Sequence, residues 1–356
     1  MYAKEMQEIY NGNSAPIIAL FDRLSVAELN AIAKQENPYA GDRILHAAVR
    51  MGDIKLLNKC VLAGLDLNAH KSAQVDGALF HDGRTLIDAS PLFLAAQQFQ
   101  VACLQILLRH LSEEQIHGEF NAEVLGQVIM MYARDKTARE KAMICINELL
   151  AYGFDVNKRI QNIPPLFLAI ESGDVELVKI LLGHEADPMV LCEREQNLTA
   201  IAFAIGKNRV LIVKEMLKTG RVDINKPLIF DGNEYPLAFF TALTGSNTLF
   251  TLLREAGANL QQNVKLRNGP SAPILTILAL ILDEEELTQI HFPHGVAPLL
   301  PILQQFIQAG FDSHQLMAKV SDKAASEDNA EMDIDSSENS DEDNQDDDNP
   351  SSFKFQ

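Results

Sequence analysis

From Pro165 to Pro188 the chain reads PLFLAIESGDVELVKILLGHEADP, and its apolar positions fall into two short stripes. Leu166, Leu168, Ala169 and Ile170 make the first stripe. Leu177, Val178, Leu181 and Leu182 make the second, at the i, i+1, i+4, i+5 spacing of one helix face. Pro165 suits a first helical turn, where its missing N–H costs nothing. Gly173 permits a backbone turn that a Cβ would resist, and Asp174 is placed to cap the second helix. Ala186-Asp187-Pro188 ends it. The pattern predicts two short helices. Helices this short bury one stripe each and are not stable alone, because nucleation is costly. They require neighbours of the same kind.

Those neighbours are present. Residues 43–68 (RILHAAVRMGDIKLLNKCVLAGLDLN), 90–110 (SPLFLAAQQFQVACLQILLRH), 199–225 (TAIAFAIGKNRVLIVKEMLKTGRVDIN) and 235–260 (YPLAFFTALTGSNTLFTLLREAGANL) share the layout. Asp187, Asp223 and Asn259 lie 36 residues apart, and Asp155 precedes Asp187 by 32. Two further copies are degenerate. Residues 124–157 keep LLAYGFDVN but lengthen the middle with Arg134–Glu140. Residues 271–312 keep SAPILTILAL and FIQAGFD around the insertion DEEELTQIHFPHGVAP.

Leu45-His46 with Ala48, Gly52, Gly64, Asp66 and Asn68 resembles the ankyrin-repeat pattern, as do Pro165-Leu166, Ala169, Gly173, Leu181-Leu182 and Ala186-Asp187. Thr199, Gly220, Asp223 and Asn225, and Pro236-Leu237, Gly245, Gly257-Ala258 and Asn259, match it again. The spacing agrees with that family's period of about 33 residues. The resemblance implies an all-α ankyrin-repeat solenoid over residues 42–312, with five clear and two degenerate repeats and short hairpin tips. Residues 1–41 are expected to form a helical N-terminal cap, with Ser25-Val26-Ala27-Glu28 as a capping box. The stretch LSVAELNAIAK there also resembles the start of an F-box, a short recruitment motif.

The acidic residues change character at the C-terminal end. Net charge is −19. Thirteen acids and one Lys fall between Ser321 and Asn349. Residues 313–356 are expected to be a disordered acidic tail, since the stretch from 321 offers almost no apolar surface to offset chain entropy. Residues 1–320 still carry −8, which argues against nucleic acid as the partner. No apolar run approaches the ~20 residues that span a bilayer. The N-terminus has no apolar core behind a basic start, so no signal peptide is expected. Four cysteines in 356 residues make no disulfide framework and suit a reducing, cytoplasmic compartment.

Chemistry is sparse in the pattern. There is no phosphate loop, nucleophile elbow, H-E-x-x-H helix or C-x-x-C pair. Cys60, Cys103 and Cys145 fall on second helices and read as small core residues. Cys192 reads as exposed in an inter-repeat loop. The resemblance gives His46 a structural hydrogen-bonding role. His291-x-x-His294, with His314 or Glu286, is a weak metal pattern beside its plainer reading as a surface turn. Asp283–Glu286 reads as a solvated acidic run. No cofactor, metal or catalytic residue is therefore expected.

The resemblance places binding on the concave face, formed by the first helices and the hairpin tips, with second helices behind. The candidate partner-binding residues are Arg50, Met51, Gln97, Gln98, Glu171, Ser172 and Lys207, with Lys226, Leu228 and Phe230 at one tip. Leu228, Ile229 and Phe230 read equally as a contact element or as packing between repeats. The long tip at 69–89 is a second contact candidate. The expected function is a monomeric, non-enzymatic protein-binding scaffold. The alternative is an enzyme or a ubiquitin-ligase-type adaptor, with its activity in residues 271–312 or the first 40. The acidic, Ser-rich tail ending in Phe353-Lys354-Phe355-Gln356 resembles C-terminal translocation signals of type IV effectors of intracellular bacteria. That resemblance implies secretion into the host cytosol. Ser340 alternatively resembles an acid-directed kinase site.

Overall fold

The computed structural model describes residues 3–33, 44–68, 90–118, 121–134, 137, 139–195, 197–230, 232–267, 271–282 and 296–335. The insertion residues Asp283–Glu286 and His291–His294, the tip 69–89, and Ser340, Phe353 and Phe355 lie outside them.

Short helices come in pairs, as the split stripes predict. After α1 (Ala3–Tyr10), α2 (Ala15–Phe21) and α3 (Val26–Ala33) come α4 (Ile44–Met51) with α5 (Ile54–Leu62), and α6 (Pro91–Gln97) with α7 (Val101–His110). A four-residue α8 (Glu113–Ile116) precedes α9 (Val124–Arg134) and α10 (Arg139–Ala151). Next are α11 (Pro165–Ser172) with α12 (Val175–Gly183), α13 (Ala200–Gly206) with α14 (Val210–Lys218), and α15 (Leu237–Leu243) with α16 (Asn247–Glu255). The last pair is α17 (Ile274–Leu282) and α18 (Leu299–Gln308), followed by α19 (His314–Asp335). The chain divides into two compact units, Met1–Leu168 and Ala169–Gln356, with the boundary inside α11.

In five of these pairs the first helix reverses into its second through one residue in the left-handed region. The residues are Gly52 (φ 64°), Phe99 (φ 51°), Gly173 (φ 71°), Asn208 (φ 51°) and Gly245 (φ 67°). At four of these turns the next N–H reaches five residues back, as from Asp53 to the Ala48 carbonyl at 2.9 Å and from Arg209 to the Ala204 carbonyl at 2.9 Å. These bonds satisfy carbonyls that a helix end leaves orphaned. Asp174 then caps α12, its side chain accepting from the Glu176 and Leu177 N–H groups at 3.0 Å each. Asp53 does the same for Leu56.

Second helices end in a second repeated device. The side chains of Asp66, Asp155, Asp187, Asp223, Asn259 and Asp312 each accept the N–H two residues on, at 2.8–3.3 Å. In the first unit buried Asn121 ties together the residues that flank 69–89. It donates to Asn68 Oδ1 at 3.2 Å and to the Gln115 carbonyl at 2.7 Å, and accepts from Ser90 Oγ at 2.5 Å.

Three tips among the described residues are short antiparallel hairpins. In the second unit, β1 (Leu191–Cys192) pairs with β2 (Leu198–Thr199). A four-stranded sheet joins β3 (Leu228–Phe230), β4 (Asn233–Tyr235), β5 (Asn263–Lys265) and β6 (Ser271–Pro273) in that order. It therefore spans two successive tips, through the pairing of Glu234 with Lys265.

Two expectations need correction. Cys192 is buried, not exposed, because strand alternation turns it inward and Leu191 outward. The chain beyond 312 continues as α19, whose Leu316, Val320 and Ala324 are buried at helical spacing against the last repeat. The segment's low hydropathy hid this stripe. In α14 the buried residues are Ile212, Val213 and Met216, while Leu217 is half exposed. The capping box is present: Ser25 N–H donates to Glu28 Oε2 at 2.9 Å, and Glu28 N–H to Ser25 Oγ at 3.4 Å. Leu29 and Ile32 of the same helix are buried, and α3 packs against α4.

Two predictions follow from this packing. Leu181 is fully buried, so Leu181→Ala is expected to cost ~2–5 kcal/mol in urea denaturation, against less than ~1 kcal/mol for Leu217→Ala. Truncation after Ser313 is expected to lower the melting temperature through loss of the α19 stripe, about 1.5–3 kcal/mol for each large apolar side chain. Truncation after Asp335 should leave it nearly unchanged.

Candidate functional site

The expected binding positions fall at the C-terminal ends of first helices. In the first unit Arg50 and Met51 end α4, Gln97 ends α6, and Gln98 is its C-cap. Gln98 is exposed and the other three are half-buried. The α4 and α6 helices pack side by side, which makes these positions neighbours.

In the second unit Glu171 and Ser172 end α11, and Lys207 is the C-cap of α13. Ser172 is committed locally: its hydroxyl donates to the Ala169 carbonyl at 2.8 Å. The Lys207 ammonium lies 5.4 Å from the Phe203 ring centroid. Glu171 is exposed, and its carbonyl accepts from Arg209 Nη2 at 3.2 Å. The same guanidinium lies over Gly173, 3.1 Å from where a Cβ would sit.

A further carboxylate stands among them. Glu195 closes the one-turn helix Glu193–Glu195 inside the β1–β2 hairpin. Burial raises its pKa, and the Glu171 carboxylate raises it further, against the opposing pull of Lys207 and Arg194. The structure thus brings Glu171, Lys207 and Glu195 within electrostatic reach. The pattern at 193–197 gave no reason to single out Glu195. Arg209 was legible in principle, as the residue in register with the helix cap Asp174.

The apolar tip is split by its strand. Leu228 is buried and pairs across from buried Tyr235, so it is not available as a contact. Ile229, between Leu228 and Phe230, is 68% exposed. Phe230 closes β3 opposite Asn233, and Lys226 is exposed at the hairpin's base. Arg267 of the next tip lies over Gly232 and donates its N–H to Asn233 Oδ1 at 2.8 Å. That bond and the Lys265–Glu234 ion pair at 2.9 Å latch one tip to the next. Leu191, on the β1–β2 tip, is 49% exposed.

The cysteines have the environment of core residues. Burial pushes the Cys103 and Cys145 thiols up to about 11 and raises that of Cys60. A thiol so raised is a poor nucleophile at neutral pH. His46 is fully buried. Among the described residues no group of three or more His, Cys, Asp and Glu is placed to hold a metal ion. No helix among them is long and apolar enough to cross a membrane.

A family model of ankyrin repeats matches residues 130–228 and 166–265. Among solved structures, the human ASB11 ankyrin repeat domain is similar at 18% identity, covering 69% of this chain and 99% of that one, with a TM-score of 0.40. The ankyrin repeat domain of Bcl-3, described as a unique member of the IkappaB protein family, is 19% identical, covers 67% of this chain and 94% of its own, and gives a TM-score of 0.47. This chain carries ankyrin repeats. Ankyrin repeats are, as a class, modules for protein–protein interaction.

The Glu195 environment has a pH signature. Its folded pKa is raised, so the folded state binds more protons than the unfolded one between the ordinary value of 4.5 and the folded value. Stability is therefore lost as pH rises through that window. Glu195→Gln is expected to be more stable than the parent at pH 7 and equal to it near pH 3.5, in denaturation curves recorded across that range. A variant equally less stable at both pH values would show that the carboxylate is held by favourable bonds instead.

Proposed function

We propose that this chain is a non-enzymatic scaffold that binds another protein through the exposed ends of its first helices and its hairpin tips. The observation that carries the reading is Ile229. It is a large apolar side chain held in solvent on a strand that is paired, and latched to the next tip. An anchor already ordered loses little freedom on binding, and a rim of charge around it suits a protein surface. Lys226 and the Lys265–Glu234 pair supply that rim. The negative body charge supports a protein partner over nucleic acid. A monomer without cofactor, acting in the cytoplasm, fits this reading.

The acidic, Ser-rich segment after Asp335, with Phe353 and Phe355, supports a finer one: a bacterial effector delivered into a host cell and acting on host proteins there. The test has two arms. Full-length protein and Ile229→Asp are used to capture partners from host-cell lysate, and the affinity of the captured protein is then measured with purified components. Ile229→Asp should weaken it at least about tenfold, the ~1.4 kcal/mol of a modest hot spot, with an unchanged melting temperature. Unchanged affinity would remove this tip from the interface. In the second arm, truncation after Asp335 should abolish delivery of a reporter fusion into host cells. Undiminished delivery would sink the effector reading and leave the scaffold reading standing.

A further inference from the structure

Positive charge is concentrated in one short part of this acidic chain. Residues 207–226 hold six of its 30 bases against two acids. Two of these bases, Lys214 and Lys218, stand exposed on α14, and Lys179 stands exposed on α12, the helix packed beside it. All three ammonium groups act on one carboxylate. Glu215 accepts from Lys218 Nζ at 2.7 Å. That bond and the charges of Lys218, Lys179 and Lys214 hold its pKa below the ordinary value, against the effect of burial. Glu176 makes one further ion pair, with Lys179 at 3.4 Å. Three bases thus meet two acids on this side of the second helices, and the excess is positive.

The stripe is not purely polar. Leu211 precedes Lys214 by three residues and Lys218 by seven, so the three lie on one side of α14. Leu211 is 62% exposed, on a helix whose buried side is made by Ile212, Val213 and Met216. An exposed leucine bordered by ammonium groups suits a segment that carries both carboxylates and an apolar side chain. This chain contains one. Residues 336–356 hold seven acids, from Glu338 to Asp348, against one base, and end with Phe353 and Phe355. The surface is within their reach. Helix α19, which ends at Asp335, packs on α18, α18 on α16 and α16 on α14. Three helix spacings of about 10 Å therefore separate α19 from α14. The 21 residues after Asp335 span up to about 70 Å when extended.

We propose that the side of α12 and α14 carrying Lys179, Lys214, Lys218 and Leu211 is a docking surface for residues 336–356 of the same molecule. The carboxylates of the segment meet the three ammonium groups, and Phe353 or Phe355 covers Leu211. The tether makes the encounter intramolecular, at an effective concentration of order mM, so contacts too weak to hold a separate peptide suffice. Each ion pair is exposed and screened by salt. Docking is therefore reversible and leaves the melting temperature nearly unchanged. While docked, the last residues of the chain are withheld from any other receptor. The surface lies on second helices, apart from the first-helix ends and tips of the scaffold reading, so the two stand or fall independently.

The test treats full-length protein with a carbodiimide, which joins a carboxylate to an amine only where the two touch, and maps the joined residues by mass spectrometry. Unlabelled and heavy-isotope-labelled protein are mixed beforehand, so that links within one molecule are told from links between two. Links from residues 338–348 to Lys179, Lys214 and Lys218 are expected within one molecule. They should exceed links to the exposed Lys55 and Lys226 roughly tenfold, the worth of a few exposed ion pairs. Raising salt from about 0.05 M to about 0.5 M shortens the screening length from about 14 Å to about 4 Å and should remove that excess. Leu211→Ser and Lys214→Gln replace exposed side chains, so folding should be unaffected, which melting curves check. Each should lower the links at Lys179 and Lys218 about threefold. Links spread evenly over the exposed lysines would overturn the proposal, as would links that survive both substitutions undiminished. Links formed only between molecules would also overturn it, by making a second copy the occupant.

Discussion

The constraint on which this structure depends is that no helix pair can bury its own apolar stripe. A pair of seven- to thirteen-residue helices has two faces to hide and only one partner inside the pair. The remaining face must be covered by the pair before or after it. Leu181 and Val178 are fully buried for this reason, although their own helix is only nine residues long. The same need explains the two ends. Helices α1 and α2 cover α4 and α5, and α19 covers α17 and α18.

Regular stacking requires each turn to be identical in shape, and the left-handed residue provides that. Glycine is the inexpensive choice, and asparagine tolerates the region. Phe99 adopts it at about 1–2 kcal/mol of local cost, so packing of the surrounding helices holds it there. The residue at the N-cap of the next second helix then seats on the turn before it. Gln100 lies against Gly52, Arg209 against Gly173, and Pro298 against Gly245, while Ser246 bonds Asn208. These four residues share no chemistry. What they share is position, which allows the surface beside each turn to vary while the backbone does not.

That separation is what makes the fold suited to binding. Backbone hydrogen bonds and the Asx turns at Asp66, Asp155, Asp187 and Asp223 consume the structural residues. The side chains at helix ends and tips can therefore vary without disturbing the backbone. Glu195 illustrates the consequence: it sits where burial and Glu171 disfavour its charge, and local folding offers no compensating bond among those described. Such a residue is tolerated because the scaffold is stabilised elsewhere.

The repeats were legible in the chain itself, because helical periodicity, Gly173, the Asp174 cap and the Asp-x-Asn endings are local chemistry written at fixed spacing. So was the capping box at Ser25 and Glu28, and so were the helix-end positions Arg50, Gln98 and Lys207. Three things were not. Strand alternation at the tips, which hides Leu228 and Cys192 and exposes Ile229 and Leu191, needs the pairing partner to set its phase, since a three-residue apolar run has no period of its own. The packing of α19 needs the last repeat's open face, because Leu316, Val320 and Ala324 are too few among acids to stand out. The seating of α1 and α2 needs contacts with α4 and α5, for their helix lengths and turn residues alone describe any helical hairpin.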